Sequence, residues 1–481
     1  MTTPGTPEPG TAGMTEALVA PGVTPSVNDA PLMLSISGMR GLIGRSLTPP
    51  VATRYGATVG SWLRQLTGAD APHVIVGRDS RPSGQTISAS VIAGLAGVGC
   101  RVTDLGIVTT PTTAIMIGQM GADGGVVVTA SHNPIEWNGV KTLRADGVAP
   151  PPDQAAQIIE RFENDDTDWV DIDQVHTTSR KDSGADTHVA MLLERLDVDA
   201  IRKRELKVVL DSVHGAGGPA TARLLNALGV EFVHLFAEPT GQFPHAPEPT
   251  EENLRGLGAA VTEHGADLGL AQDPDGDRLA IVDEAGRYIG EEYTLALTAY
   301  HVLSQTPGAA VANLSTSRMI DDIAAQCGAT VHRSAVGEAN VANVMRQVDA
   351  VIGGEGNGGI MWPRMLHVRD SLSGIGLVLE LLAQSDERIS QLTRKFPRYT
   401  ILKGKLPIAE GMAQRAIEQL GEQYADQRLD LQDGIRIDWP DAWAHVRPSN
   451  TEPIMRIIVE AIDQGAADRL ITELSTVVDG G

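Results

Sequence analysis

The stretch Thr129-Ala130-Ser131-His132-Asn133-Pro134 ends a short apolar run, Val126-Val127-Val128, and turns the chain with polar residues. Consecutive β-branched residues followed by a Ser/Asn/Pro turn predict a buried strand that delivers its next loop at one end of a sheet. The hydroxyl of Ser131 stands in that loop, where α/β folds place functional groups. The same unit of apolar strand, polar turn and helix-like segment returns at residues 73–79, 207–212 and 309–314. Its recurrence at wide intervals predicts three similar α/β domains with mixed sheets, each with a functional loop where a strand ends.

From about Phe396 the pattern changes. A helix over 412–424, alternating strands over 434–439 and 454–460, and a last helix after Gly465 predict a smaller C-terminal α+β domain. Gly, Pro and Asp clusters near 182–184, 286–290 and 395–397 mark junctions. The expected organisation is a tail at 1–30, domains at 31–184, 185–287 and 288–395, and the smaller domain at 396–481. The first thirty residues are rich in Pro, Gly, Thr and Ala and hold no Lys or Arg, so they read as a disordered tail and not a secretory signal.

A serine hydroxyl is a weak nucleophile and needs a partner to carry a covalent group. Asp273-Pro274-Asp275-Gly276-Asp277-Arg278 offers one, because carboxylates at i, i+2 and i+4 in a tight turn converge on a hard cation. A calcium loop competes for Asp273, Asp275, Asp277 and Glu284. Against it, its glycine position is Arg278, and residues 268–271 and 279–282 read as strands, not helices. With such a cation beside it, Ser131 reads as a covalent phosphate carrier.

Two further loops carry chemistry. Gly353-Gly354-Glu355-Gly356-Asn357-Gly358-Gly359 permits close backbone approach, with Glu355 and Asn357 positioned to face a ligand together. Arg447-Pro448-Ser449-Asn450-Thr451-Glu452-Pro453, with Arg456 beyond it, combines the donors that hold a phosphate dianion. Taken singly, each motif has an ordinary reading as a surface pair, a chain reversal or a capped turn.

In this order and spacing the four motifs resemble the α-D-phosphohexomutase family, from about Leu32 to the C-terminus. The resemblance implies the three α/β domains and smaller fourth domain around a central cleft. It also implies an isomerase that moves a phosphoryl group between O1 and O6 of a hexose phosphate through a bisphosphorylated sugar. Ser131 would carry the phosphate, and one Mg²⁺ per chain would sit among Ser131, Asp273, Asp275 and Asp277. Arg278, Lys141, Arg40 and His132 would complete the catalytic group, with Lys141 handling protons and His132 orienting Ser131. Arg447, Ser449, Asn450, Thr451 and Arg456 would grip the distal phosphate, Glu355 and Asn357 would meet the sugar, and a sugar bisphosphate would act as activator.

Many members acting on glucose or mannose phosphates carry a Glu-Met-Ser-Gly-His loop, whereas here Asn357 replaces the serine and Gly359 the histidine. With Val336-Gly337-Glu338-Ala339-Asn340 and Ser37-Gly38-Met39-Arg40-Gly41, the chain looks like the phosphoglucosamine mutase subgroup. Glucosamine phosphate is the expected substrate, and mannose or glucose phosphate the second choice. A phosphatase would not need the second phosphate grip, and a non-catalytic phosphosugar-binding protein would not need Ser131 and the aspartates.

Composition bounds the same picture. A 481-residue chain that is 42% apolar supports several well-formed cores. A formal charge of -23 argues against nucleic acid or anionic membrane as a partner. Two distant cysteines, Cys100 and Cys327, suit a reducing cytoplasm. No apolar run approaches the roughly 20 residues that span a bilayer. A monomer or homodimer acting on a small phosphosugar is expected.

Overall fold

The computed structural model describes residues 31–409, 411–449 and 454–479. The expected tail at 1–30 lies outside the described residues. Internal contacts divide the chain into two units, with the division between Pro397 and Arg398.

The larger unit holds three sheets. The first contains β1 (Met33–Ser35), β2 (Gly38–Leu42), β3 (His73–Arg78), β4 (Arg101–Ile107), β5 (Gly124–Val128), β6 (Trp137–Arg144) and β7 (Ser179–Arg180). Their order is β1-β2-β6-β5-β3-β4-β7. β3 runs parallel to β4 and β5, whereas β6 is antiparallel to both β5 and β2, so the sheet is mixed. The run that opened the sequence reading is the central strand β5, and its three valines are fully buried.

The second sheet contains β8 (Lys207–Asp211), β9 (Glu231–Leu235), β10 (Leu268–Gln272) and β11 (Leu279–Val282). β8 is parallel to β9 and β10, and β11 folds back antiparallel on β10. The hairpin between β10 and β11 carries the aspartates, which disposes of the helix-flanked calcium loop. The third sheet repeats this plan with β12 (Ala309–Asn313), β13 (Thr330–Ser334), β14 (Ile352–Glu355) and β15 (Gly359–Met361). β12 is parallel to β13 and β14, and β15 is antiparallel to β14, so the glycine-rich loop is also a hairpin connection. Three α/β domains with mixed sheets are therefore observed.

The smaller unit is a five-stranded antiparallel sheet made of β16 (Thr400–Pro407), β17 (Arg428–Asp430), β18 (Ile435–Asp438), β19 (Ala442–Pro448) and β20 (Ile454–Ala461), with helices Met412–Gln423 and Gln464–Asp479. The sequence reading found both helices, β18 and β20. It passed over β16, whose inward positions are only Leu402, Gly404 and Leu406 against exposed Lys403, Lys405 and Pro407, and β17, which is three residues long. It also passed over β19, whose buried face includes His445. Among the described residues no helix is long and apolar enough to cross a membrane.

In the first domain, helices Pro49–Thr67 and Gly84–Gly97 meet through glycines. A Cβ on Gly94 would fall 2.0 Å from the Thr53 carbonyl oxygen, and one on Gly56 would fall 2.4 Å from that of Val91. Replacing Gly94 with alanine ordinarily favours a helix by about 1 kcal/mol. Here the two backbones must separate, and overpacking costs about 1–3 kcal/mol. Gly94→Ala is therefore expected to lower the urea midpoint; a raised midpoint would show that the helices part freely.

Candidate functional site

β5 delivers the serine loop, and a buried arginine fixes its shape. Ser131 has φ 49°, in the left-handed region that non-glycine residues seldom occupy. Its N–H donates to Thr129 Oγ1 at 2.9 Å. Arg81 donates through Nη2 to the carbonyls of Ser131 and Asn133, both at 2.6 Å, and through Nη1 to those of Pro134 (2.7 Å) and Trp137 (3.0 Å). Its Nε reaches Asp79 Oδ2 at 3.1 Å, and the same carboxylate accepts the Thr129 hydroxyl at 2.7 Å. Arg81 and Asp79 are both fully buried. The guanidinium fork thus replaces several backbone hydrogen bonds of a loop that has none to spare. The sequence reading missed both residues; the one available signal was an acid and a base, Asp79-Ser80-Arg81, just past β3.

The aspartate loop is tightened by Gly276 at φ 67°, where a Cβ would also meet Thr109 Cγ2 at 2.7 Å. Asp273 Oδ1 accepts the N–H groups of Asp277 (3.0 Å) and Arg278 (3.1 Å). Each α/β domain ties the loop down. Thr110 gives its N–H to the Asp275 carbonyl (2.9 Å) and its hydroxyl to Asp275 Oδ2 (2.6 Å). Ala216 N–H donates to the Pro274 carbonyl (2.8 Å), and the Ser371 hydroxyl donates to the Gly276 carbonyl (2.6 Å).

These constraints bring the expected residues together. Ser131 Oγ donates to Asp273 Oδ2 at 2.9 Å across 142 residues of chain. Asp273, Asp275 and Asp277 are each fully buried, with one ligand oxygen apiece lying within 4.8 Å of the others. Asp275 Oδ1 and Asp277 Oδ1 are buried and accept no hydrogen bond. Orphaned anionic oxygens in a buried all-oxygen cluster fit a hard divalent cation.

Cations surround the cluster. Lys141 Nζ lies 2.6 Å from Asp275 Oδ2 and 3.1 Å from Asp277 Oδ2. Burial opposes its charge, but the two carboxylates outweigh burial and raise its pKa above the ordinary lysine value. Burial likewise opposes charge on Asp277, yet Arg369 and Lys141 hold it below the usual carboxylate range. Asp273 moves the other way, raised by burial and by its two acidic neighbours. His132 Nδ1 sits 3.4 Å from Ser131 Oγ, and burial, reinforced by Arg278 and Arg40, lowers its pKa to about 3. The ring is therefore neutral at neutral pH. Arg40 donates to Asn133 Oδ1 at 3.1 Å, and Arg278 faces Glu248 at 3.9 Å.

The glycine-rich hairpin brings Glu355 and Asn357 together, and other segments engage Glu355 as well. Glu355 is 5% exposed, and its Oε1 accepts from Asn313 Nδ2 (2.9 Å) and Gly337 N–H (3.2 Å). Its Oε2 accepts from Arg369 Nη1 (2.7 Å) and, at 3.4 Å, from Asn357 Nδ2. Arg369, which the sequence reading did not single out, also reaches Asp277 (2.6 Å) and Glu338 (2.9 Å).

Within the smaller unit, Arg447 on β19 pairs in register with Arg456 on β20, so two guanidinium-bearing positions flank the connecting loop. Ser449 N–H closes that loop onto the Ile454 carbonyl at 2.9 Å. Asn450 and Thr451 lie outside the described residues.

Four family models match the chain in succession. They are the Phosphoglucomutase/phosphomannomutase alpha/beta/alpha domains I (residues 33–169), II (186–286) and III (290–399) and the C-terminal domain (405–477). The chain belongs to the α-D-phosphohexomutase family. A phosphoglucomutase/phosphomannomutase of Thermococcus kodakarensis is 38% identical over 431 residues, covering 88% of this chain and 93% of the relative. A probable phosphoglucosamine mutase of Methanopyrus kandleri is 35% identical over 448 residues, covering 92% and 96%. Among solved structures, a phosphoglucomutase/phosphomannomutase family protein of Burkholderia thailandensis superposes with a TM-score of 0.80 at 28% identity, covering 93% of this phosphohexomutase and 99% of that chain.

Removing Arg81 would leave Asp79 charged, buried and unpaired. Breaking a buried pair in this way costs about 3–5 kcal/mol. Arg81→Met is expected to lose that much in chemical denaturation, and a loss below about 1 kcal/mol would mean that the loop holds itself. Separately, Mg²⁺ is expected to raise the thermal midpoint of the wild type and not of Asp275→Asn; equal shifts would place the cation elsewhere.

Proposed function

We propose that the protein is a phosphohexomutase that interconverts hexose 6-phosphate and hexose 1-phosphate, with glucosamine phosphate as its sugar. The observation that carries this reading is Ser131 Oγ, held in a strained loop and bonded at 2.9 Å to one of three buried, clustered aspartates. A phosphoryl group on Ser131 moves to a sugar hydroxyl as the P–O bond to Oγ breaks and one to the sugar oxygen forms. The sugar hydroxyl loses a proton, and Oγ regains one. The reverse transfer from the other end of the sugar restores the phosphoserine.

Lys141 meets these steps as an ammonium that its two carboxylate neighbours hold in that form, so it adds fixed positive charge at the site and can give up a proton only as its contact with Asp275 or Asp277 is released. His132 is a neutral ring 3.4 Å from Oγ; with its pKa lowered to about 3 it is a poor base, and it orients the hydroxyl. Arg40 and Arg278 add positive charge beside the same group, as the closeness of both to His132 implies. A bound Mg²⁺, held by Asp273, Asp275 and Asp277, supplies further positive charge to the transferring phosphoryl oxygens. Arg447, Ser449, Asn450, Thr451 and Arg456 form the second phosphate grip in this reading, which a sugar that reacts at both ends requires.

Glu338 supports an amino sugar. Its half-buried carboxylate accepts from Arg369 Nε through Oε2, and its side chain keeps 16% exposure, so an ammonium can approach it. The name of the Methanopyrus kandleri relative agrees. The Thermococcus kodakarensis relative, named for neutral hexoses, favours a second reading with mannose or glucose phosphate.

Ser131→Ala is expected to fold, bind phosphosugar and lose at least about a thousandfold in turnover, since the covalent route is closed. Substantial residual mutase activity would refute the phosphoserine. In a parallel assay of glucosamine, mannose, glucose and N-acetylglucosamine phosphates with Mg²⁺ and a trace of sugar bisphosphate, kcat/KM should be highest for glucosamine phosphate. Equal values for mannose and glucose phosphates, above glucosamine, would establish the second reading.

A further inference from the structure

The glycine-rich hairpin has no side chain at position 359, and another segment fills the space. A Cβ on Gly359 would fall 2.2 Å from Arg369 Cδ and 2.9 Å from Arg369 Cγ. These atoms are the middle of the arginine stem, which is not free to swing aside. All three guanidinium nitrogens are engaged, each with a different acid: Nε with Glu338 at 2.9 Å, Nη1 with Glu355 at 2.7 Å and Nη2 with Asp277 at 2.6 Å. The side chain is only 12% exposed. Displacing the stem therefore breaks charge-assisted bonds to three elements together.

An ionised carboxylate has about four lone-pair sites. Glu355 has four donors, from Asn313, Gly337, Arg369 and Asn357, and the bond to Asn357 is the longest at 3.4 Å. We propose that Arg369 is a positioning residue which locks the sugar-contacting hairpin to the aspartate loop, and that the bare position 359 is what lets it stand there. Arg369 aims Glu355, and a sugar hydroxyl or ammonium joins Glu355 by displacing the weakly held Asn357 amide. Lysine could not substitute, because one ammonium cannot span three carboxylates in a planar fork. This inference rests on the phosphohexomutase reading and deepens it by naming what holds the sugar-contacting group in place.

The test is a double-mutant cycle of Gly359→Ala and Arg369→Ala, read as the Kd of glucosamine 6-phosphate by calorimetry and as KM and kcat in the mutase assay. Each single variant should weaken Kd and raise KM about tenfold. The double variant should be no weaker than Arg369→Ala within about twofold, because the methyl group added at position 359 then has no stem to displace. Losses that multiply to about a hundredfold would overturn the proposal. So would a lowered unfolding midpoint with Kd and KM within twofold of wild type, the signature of a merely structural role. Should Arg369→Ala fail to fold, Arg369→Gln keeps most of the stem without the charge; a tenfold weaker Kd supports the proposal and an unchanged one overturns it. Wild-type protein that binds glucosamine 6-phosphate without isomerising it would sink the mutase reading alone, leaving the binding cycle to decide on Arg369.

Discussion

Three aspartate carboxylates buried within 4.8 Å of one another repel strongly, and the architecture around them answers that repulsion. Burial removes the water that would screen them, so each needs a donor or a cation. Lys141 and Arg369 take the inner oxygens of Asp275 and Asp277, backbone N–H groups take Asp273 Oδ1, and two oxygens remain without donors. The compensation is incomplete in a chemically useful way, because full neutralisation would remove the affinity for a further cation. The same cluster favours the protonated form of Lys141 and reaches the glycine-rich hairpin through Arg369, so its charge balance extends well beyond the three acids.

Strain accompanies charge. Ser131 sits in left-handed backbone, a conformation that costs about 1–3 kcal/mol and persists only where the surroundings over-determine it. Arg81 supplies that determination by holding four carbonyls around the loop with one rigid fork. A lysine there could satisfy no more than three acceptors and could not hold them in one plane. Geometry at Ser131 is thus set from beneath, by two fully buried residues.

Much of this was legible from the chain. The valine run before Ser131, the strands flanking the aspartates and the strand-turn-helix recurrence predicted the three mixed-sheet domains, because burial on both faces leaves long apolar runs. Asp273, Asp275 and Asp277 declared themselves by spacing. Arg81 and Arg369 did not, since a partnered arginine looks in sequence like any solvated one, and the groups by which they join the serine and aspartate loops lie 50 and 92 residues away. Glu355 stood out in its glycine-rich loop, but its full set of donors could not be read, because Asn313 and Arg369 reach it from separate segments. In the smaller unit, β16 has a glycine among its inward positions and β19 buries His445, so the apolar period is weak in both.

The aspartate loop is anchored through Thr110, Ala216 and Ser371, one from each α/β domain. No single domain therefore contains a finished cation site. During synthesis the loop can adopt its final shape only after the third domain has emerged and Ser371 has docked on Gly276. The final shape of the aspartate loop is consequently a late event in maturation, because contacts from all three domains hold it. A chain truncated before Ser371 would carry every aspartate and still lack the hydroxyl that holds the Gly276 carbonyl.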